Sequence, residues 1–290
     1  MRASFPDIEL YPFRSNYLPT GDGAVHYVDE GNGSPILFVH GNPEWSFSFR
    51  EPIRALSATY RCLAPDHLGF GLSEKPPGGD LSPQAHARRL TEFIDRLGLE
   101  GVTLVMNDWG GPIGICSALE RTDRIAGLVV LNAWLWPLND RPLFQLYSRF
   151  MRSPIGKVAL RKGRILIRWG MPWGFGKMSR FSRRISFHYE APFEAPADPR
   201  GQWEFAREIL ASKKWLEALW EKRQKLCEKP TLILKGKKDL AFGKRTLRKW
   251  ERGFPWATVR ELPDAGHFPQ EEKGEGIGRR IRAFMEHVAG

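Results

Sequence analysis

The sequence predicts an α/β protein, a mostly parallel central sheet flanked by helices with a helical cap inserted into its second half. Three observations carry this. Short apolar runs alternate with stretches of helical spacing from residue 24 to residue 132, the alternation stops for about ninety residues rich in Trp and Arg, and it resumes at residue 231. A sheet whose strands alternate with helices is parallel and covered on both faces.

Taken in order, residues 24–30 and 35–40 read as strands around the turn Gly31-Asn32-Gly33, and residues 49–57 as a helix. Residues 60–65 form the next strand and 83–97 a helix; 101–107 is an apolar, β-branched strand, and the Gly110-Gly111 step opens another helix. Residues 128–132 give a further short strand. Within the interruption, Asp198-Pro199 supplies an N-cap and an N1 proline, and residues 203–226 read as one long amphipathic helix. Strands at 231–234 and 259–262 and a closing helix near 277–288 complete the chain. The core domain is therefore expected at 1–133 and 227–290 and the cap at 134–226.

Composition narrows the class. With 290 residues, 42% hydrophobic and 12% aromatic, the chain suits one large α/β domain plus an insertion and excludes a disordered protein. Residues 1–13 hold two acidic residues and no apolar h-region, and no stretch has the roughly 18 consecutive apolar residues of a membrane span, so a soluble cytoplasmic protein is expected. Cys62, Cys116 and Cys227 are odd in number and widely spaced. That pattern offers neither a disulfide framework nor a zinc site.

Chemistry concentrates at Asp108, in Leu104-Val105-Met106-Asn107-Asp108-Trp109-Gly110-Gly111. The residue sits between a buried strand and a helix start, where a nucleophile elbow holds its side chain. A carboxylate is ionised at neutral pH without a base and attacks an electrophilic sp3 carbon directly. The plain alternative is a helix N-cap. Asp239 and His267 follow the strands at 231–234 and 259–262, which gives the chain order nucleophile, acid, histidine. That is the order of the α/β-hydrolase fold, whose three side chains meet at the carboxyl ends of different strands. His40, in the turn His40-Gly41, is read instead as holding its loop.

The loop His40-Gly41-Asn42-Pro43 is placed to deliver one oxyanion-hole N–H from Asn42, the second coming from Trp109. The Asn42 amide and the Trp109 indole add two side-chain donors without a local cation, which suits a departing halide. At about 1.5–3 kcal/mol per hydrogen bond to a charged acceptor, the pair is worth roughly 10² to 10⁴ in rate.

In order and spacing, His40-Gly41-Asn42-Pro43-Glu44-Trp45-Ser46, Ala64-Pro65-Asp66 with Gly69-Phe70-Gly71-Leu72-Ser73, Asp108-Trp109-Gly110-Gly111, Lys238-Asp239 and Gly266-His267-Phe268 with Gln270-Glu271 resemble the haloalkane dehalogenases of the α/β-hydrolase superfamily. The resemblance implies an Asp108 nucleophile, a His267 base, an Asn42 and Trp109 halide pair, a helical cap, and no metal or organic cofactor. An acid at Asp239, with none in Leu131-Asn132-Ala133-Trp134, looks like the third subfamily of that group, Asp-His-Asp with Asn-Trp. It implies hydrolysis of small apolar haloalkanes to alcohol and halide through an alkyl ester on Asp108. The chain departs from the family pattern at Met106, Asn107 and Glu44. Epoxide hydrolases share the Asp-His-Asp machinery and add cap tyrosines, for which Tyr147 and Tyr189 are the available residues. Fluoroacetate dehalogenases carry Arg at the position of Trp109, and a noncatalytic hydrolase-fold receptor would not need the intact triad.

Charge is uneven. The net charge is +11, yet residues 141–189 hold twelve Lys and Arg and no Asp or Glu, leaving −1 for the remainder. A solvated cap face is the plain expectation, a peripheral anionic-membrane or oligomer contact the sharper one, and no motif points to nucleic acid.

Overall fold

The computed structural model describes residues 5–193 and 199–289. Eight strands form one sheet: β1 (Asn16–Thr20), β2 (Gly23–Glu30), β3 (Pro35–Val39), β4 (Arg61–Pro65), β5 (Val102–Asp108), β6 (Ile125–Ala133), β7 (Thr231–Gly236) and β8 (Thr258–Leu262). Their order is β1-β2-β4-β3-β5-β6-β7-β8. β1 and β2 pair antiparallel, β2 runs antiparallel to β4, and every later pairing is parallel. The Gly31-Asn32-Gly33 turn thus joins strands that are not neighbours, because β4 lies between β2 and β3. β1 is missing from the sequence reading since Pro19 weakens its pattern; at a sheet edge a proline removes no obligatory ladder bond.

Twelve α-helices accompany the sheet among the described residues: α1 (Arg50–Leu56), α2 (Pro83–Arg96), α3 (Gly110–Glu120), α4 (Pro142–Arg152), α5 (Pro154–Gly163), α6 (Met171–Gly174), α7 (Arg183–Glu190), α8 (Arg200–Ala211), α9 (Lys213–Lys222), α10 (Lys244–Gly253), α11 (Pro269–Glu272) and α12 (Gly274–Ala289). All seven residues of β5 are buried, which requires cover on both faces of the sheet. α1 packs with α12, and α2 with α3.

Helices α4 to α9 lie between β6 and β7. Local chemistry starts them. Ser153 and Ser182 accept hydrogen bonds from the N–H groups of Gly156 (3.1 Å) and Ile185 (3.2 Å), and Pro154 fills the first turn of α5. Arg164 ends α5 in the left-handed region at φ 48°. Residue 198, read as an N-cap, lies outside the described residues; α8 begins at Arg200 with Pro199 before it. The single long helix expected over 203–226 is two, because the chain breaks at Ser212. Its hydroxyl donates to Glu208 Oε2 at 2.6 Å and accepts from Gln84 Nε2 at 2.9 Å, tying the break to α2. Such local side-chain bonding competes with a continuous helix.

Candidate active site

Asp108 ends β5 with φ 51°, a left-handed conformation that costs a non-glycine residue about 1–2 kcal/mol. The elbow holds only because its neighbours are bare. A Cβ on Gly41 would lie 2.4 Å from the Asp108 Cβ, and one on Gly110 would lie 2.0 Å from the Val39 carbonyl oxygen. Strand β3 therefore approaches the elbow more closely than any side chain permits.

Three predicted side chains converge. His267 Nε2 is 3.3 Å from Asp108 Oδ2, and His267 Nδ1 is 3.2 Å from Asp239 Oδ2. Asp239 is fully engaged: its Oδ1 accepts from the N–H groups of Ala241 (2.8 Å) and Phe242 (3.1 Å), and Lys235 Nζ stands 3.5 Å from Oδ2. Burial raises the pKa of the Asp239 carboxyl, but His267, hydrogen-bonded to it, and Lys235 outweigh that and hold it below the ordinary value. Burial likewise pulls the His267 imidazole down, and the carboxylates of Asp239 and Asp108 overcome it and raise the pKa to about 10.

Asn42 and Trp109 line the same cavity as the three. The backbone N–H of Asn42 donates to Asp108 Oδ1 at 2.9 Å, and among the described residues it is the only backbone donor on that carboxylate. The Asn42 side-chain amide donates to the carbonyl oxygen of Gln202 in α8 at 3.1 Å, while its own Oδ1 is buried with no partner among the described residues. One amide hydrogen is thus committed to the cap and the other is left for the cavity. Trp109 packs edge-on against Trp134, ring centres 4.8 Å apart, and the Trp134 indole N–H is buried with no partner among the described residues. Trp134 closes the cavity wall beside the predicted pair.

The cavity measures about 380 Å³ and is walled largely by apolar groups from α4, the helical segment 166–174 and the β7–α10 loop, including Phe144, Leu166 and Phe242. A wider surface hollow of about 450 Å³ around Trp136, Asp140 and Arg245 holds none of the predicted residues. Of the two cap tyrosines, Tyr147 lines the cavity, whereas Tyr189 is packed elsewhere and donates to Glu271 Oε2 at 2.7 Å. Among the described residues no group of three His, Cys, Asp or Glu is arranged to hold a metal, and no helix is long and apolar enough to cross a membrane.

The bonds that join Glu44, Asn107 and Gln270 behind these side chains are not legible in the sequence. Glu44 accepts from Gly41 N–H (3.1 Å) and from Gln270 Nε2 (2.5 Å); Gln270 also donates to Asn107 Oδ1 (3.0 Å), and Asn107 Nδ2 donates to the carbonyl oxygens of Leu131 (2.7 Å) and His267 (3.2 Å). This buried chain ties the Asn42 loop to the His267 loop. Burial and the neighbouring Asp108 charge lift the Glu44 carboxyl to about 7. Glu272 accepts from Gly266 N–H (2.6 Å) and Gly176 N–H (2.9 Å), and His267 N–H donates to the Gly174 carbonyl at 2.6 Å, so cap and core share the histidine loop. Asn132, at φ 39°, accepts from Gly236 N–H at 3.0 Å and donates to the Gly266 carbonyl, bridging the acid and histidine loops. His40 donates through Nδ1 to the Gly41 carbonyl (2.9 Å) and accepts the His67 N–H (2.9 Å), so both ring nitrogens are spent on its own loop and the one beside it.

Residues 34–274 match the alpha/beta hydrolase fold family. The chain is similar to haloalkane dehalogenase 2 of Mycobacterium tuberculosis, at 42% identity over 278 residues, covering 95% of this chain and 96% of the relative. It is also similar to the cis-3-alkyl-4-alkyloxetan-2-one decarboxylase of Shewanella oneidensis, 33% identical with 95% and 89% covered. Among solved structures, a haloalkane dehalogenase from Agrobacterium tumefaciens shares the fold with a TM-score of 0.86 at 24% identity, over 95% of this chain and 97% of that one.

Proposed function

We propose, for a chain that belongs to the haloalkane dehalogenases of the α/β-hydrolase superfamily and so hydrolyses carbon–halide bonds, a two-step displacement carried by Asp108, His267 and Asp239. In the first step a carboxylate oxygen of Asp108 bonds to the halogen-bearing carbon, and the halide leaves with the electron pair of the broken bond. Asp108 Oδ1, held by the Asn42 N–H, stays in the oxyanion site, and Oδ2 attacks. The halide is received by the free hydrogen of the Asn42 amide and the Trp109 indole.

The single observation that carries this reading is the placement of His267 between two carboxylates. With its pKa near 10 the resting imidazole is an imidazolium at neutral pH. Ester formation turns Asp108 neutral and removes one of the two charges that hold the proton. The imidazole then releases it to water and becomes the base, at the step that needs one. It takes a proton from water as that water attacks the ester carbonyl, and the tetrahedral oxyanion rests on the Asn42 N–H; on collapse the carbonyl-carbon–alkoxy bond breaks, the His267 imidazolium protonates the departing oxygen to give alcohol, and the new Asp108 carboxyl passes its proton to the imidazole, restoring the resting pair. Asp239 keeps the imidazole in the tautomer whose Nε2 faces the water and stabilises its charged form.

The largely apolar cavity wall favours small apolar haloalkanes. An oxetan-2-one also offers an sp3 carbon bearing a carboxylate leaving group, and the decarboxylase relatives favour it as a second substrate class. The test is halide release from a panel of chloro-, bromo- and iodoalkanes, run beside a cis-dialkyl-oxetan-2-one assayed for carbon dioxide and a styrene oxide control. Halide release abolished by Asp108→Ala supports the reading. Turnover of the oxetanone or epoxide without halide release from any member of the panel would overturn it.

A further inference from the structure

The cap carries an apolar surface at the mouth of the cavity. Of the twelve large hydrophobic side chains most exposed among the described residues, eight fall within residues 143–178. Leu143, Leu146 and Phe150 stand on one face of α4, three and four residues apart. Trp169 and Trp173, 66% and 62% exposed, extend that face beyond the helix. Leu143, Trp173 and the 71% exposed Leu240 belong both to this surface and to the cavity that holds Asp108. A second hollow of about 290 Å³, lined by Phe150, Leu166, Trp169 and Trp173, adjoins it.

Basic residues crowd the two helices that carry much of this surface. Arg149 and Arg152 on α4 and Lys157, Arg161 and Lys162 on α5 are exposed, and among the described residues none has a carboxylate within ion-pairing distance. Three other basic residues of the cap behave differently: Arg168 pairs with Glu190, Arg180 with Glu272, and Arg184 with Asp7 and Glu9, holding cap to cap and cap to core. Lys157 stands over the Trp203 ring, 5.4 Å from its centre, and none of the five is neutralised by a carboxylate of the fold among the described residues.

We propose that this surface docks on an anionic phospholipid bilayer, with the exposed Trp and Leu side chains entering the headgroup boundary and the five cations meeting lipid phosphates. Tryptophan beside Lys and Arg around an apolar face is the composition of interfacial membrane binders. A second copy of this chain fits poorly, because a segment with twelve basic and no acidic residues would face its own like charge. Nucleic acid matches the charge but leaves the apolar centre unmatched. Docking would bring the cavity mouth onto the lipid, where apolar haloalkanes concentrate; that advantage rests on the proposed function, whereas docking itself does not.

The test is co-sedimentation of the full chain with phosphatidylcholine vesicles and with vesicles in which about a third of the lipid is phosphatidylglycerol, at low and high salt. Binding is expected only to the anionic vesicles and to weaken at high salt. Each near-surface cation raises partitioning about fivefold, so combining Lys157→Glu, Arg161→Glu and Lys162→Glu is expected to lower it at least about a hundredfold. Because none of the three lines the cavity, turnover of a short water-soluble haloalkane should be kept, which certifies the fold. Equal binding to both lipids, no binding at low salt, or undiminished binding by the folded triple variant would overturn the proposal. So would concentration-dependent self-association that the same reversals abolish in the absence of vesicle binding.

Discussion

The Nε2 atom of His267 stands 3.3 Å from Oδ2 of Asp108, so the carboxylate proposed as nucleophile helps hold the proton on the imidazole proposed as base. Asp108→Asn removes that charge and should lower the His267 pKa from its value near 10. Titration of the imidazole by NMR checks this, with Asp239 still in place as the remaining counter-charge. An unchanged His267 pKa would mean that ester formation does not release the base.

Asp239 accepts from His267 at 3.2 Å and is otherwise saturated. Replacing it by Asn keeps the shape but offers an amide that fixes the wrong imidazole tautomer. Turnover should fall by about 10³ to 10⁴, as for other triad acids made neutral, with the second step affected more than the first. Pre-steady-state kinetics separates the two. A larger loss in halide release than in ester hydrolysis would count against the assignment.

Glu44 gives the fold a pH signature. Its folded pKa, near 7, lies above the ordinary 4.5, so the folded state binds the extra proton in that window. Its contribution is complete below about pH 4.5 and is lost as pH rises through 7, about 3 kcal/mol in all. His267, raised from 6.5 to about 10, has the same sign and loses its contribution over that higher window. Denaturation of Glu44→Gln at a series of pH values should show a shallower fall between pH 4.5 and 7 with the higher window unchanged. A wild-type slope retained in the variant would remove Glu44 as its source.

Gly41→Ala places a methyl carbon 2.4 Å from the Asp108 Cβ. Neither the buried β3 terminus nor the elbow can yield, so a loss of several kcal/mol in stability is expected, with activity falling in whatever protein folds. Thermal denaturation together with a halide-release assay measures both. An alanine variant of wild-type stability would show that the loop moves freely.

Sequence carried the fold far because buried parallel strands are short, apolar and punctuated by glycine, as at β5 and its Gly110-Gly111 exit. It carried Asp108, Asp239 and His267 for a related reason: strand ends fix where such side chains meet. What remained hidden depends on approach in space. Gln270 and Asn107 lie 163 positions apart, and Glu44 and Gln270 lie 226 apart, so no local pattern announces that they bond. In the sequence Asn132 marks only the absence of an acid after β6, yet its amide joins the two loops that deliver Asp239 and His267. The break at Ser212 was invisible because the bond that fixes it comes from Gln84, on another helix.

The covalent intermediate is the centre of the account, and His267→Phe tests it most directly. Only the second step needs a base, so a folded variant incubated with a reactive bromoalkane should release one equivalent of bromide and retain the alkyl group on Asp108. Intact-protein mass spectrometry with peptide mapping reads the adduct. An alkyl ester on Asp108 is the expected result; unmodified protein, or an adduct on any other residue, would contradict it.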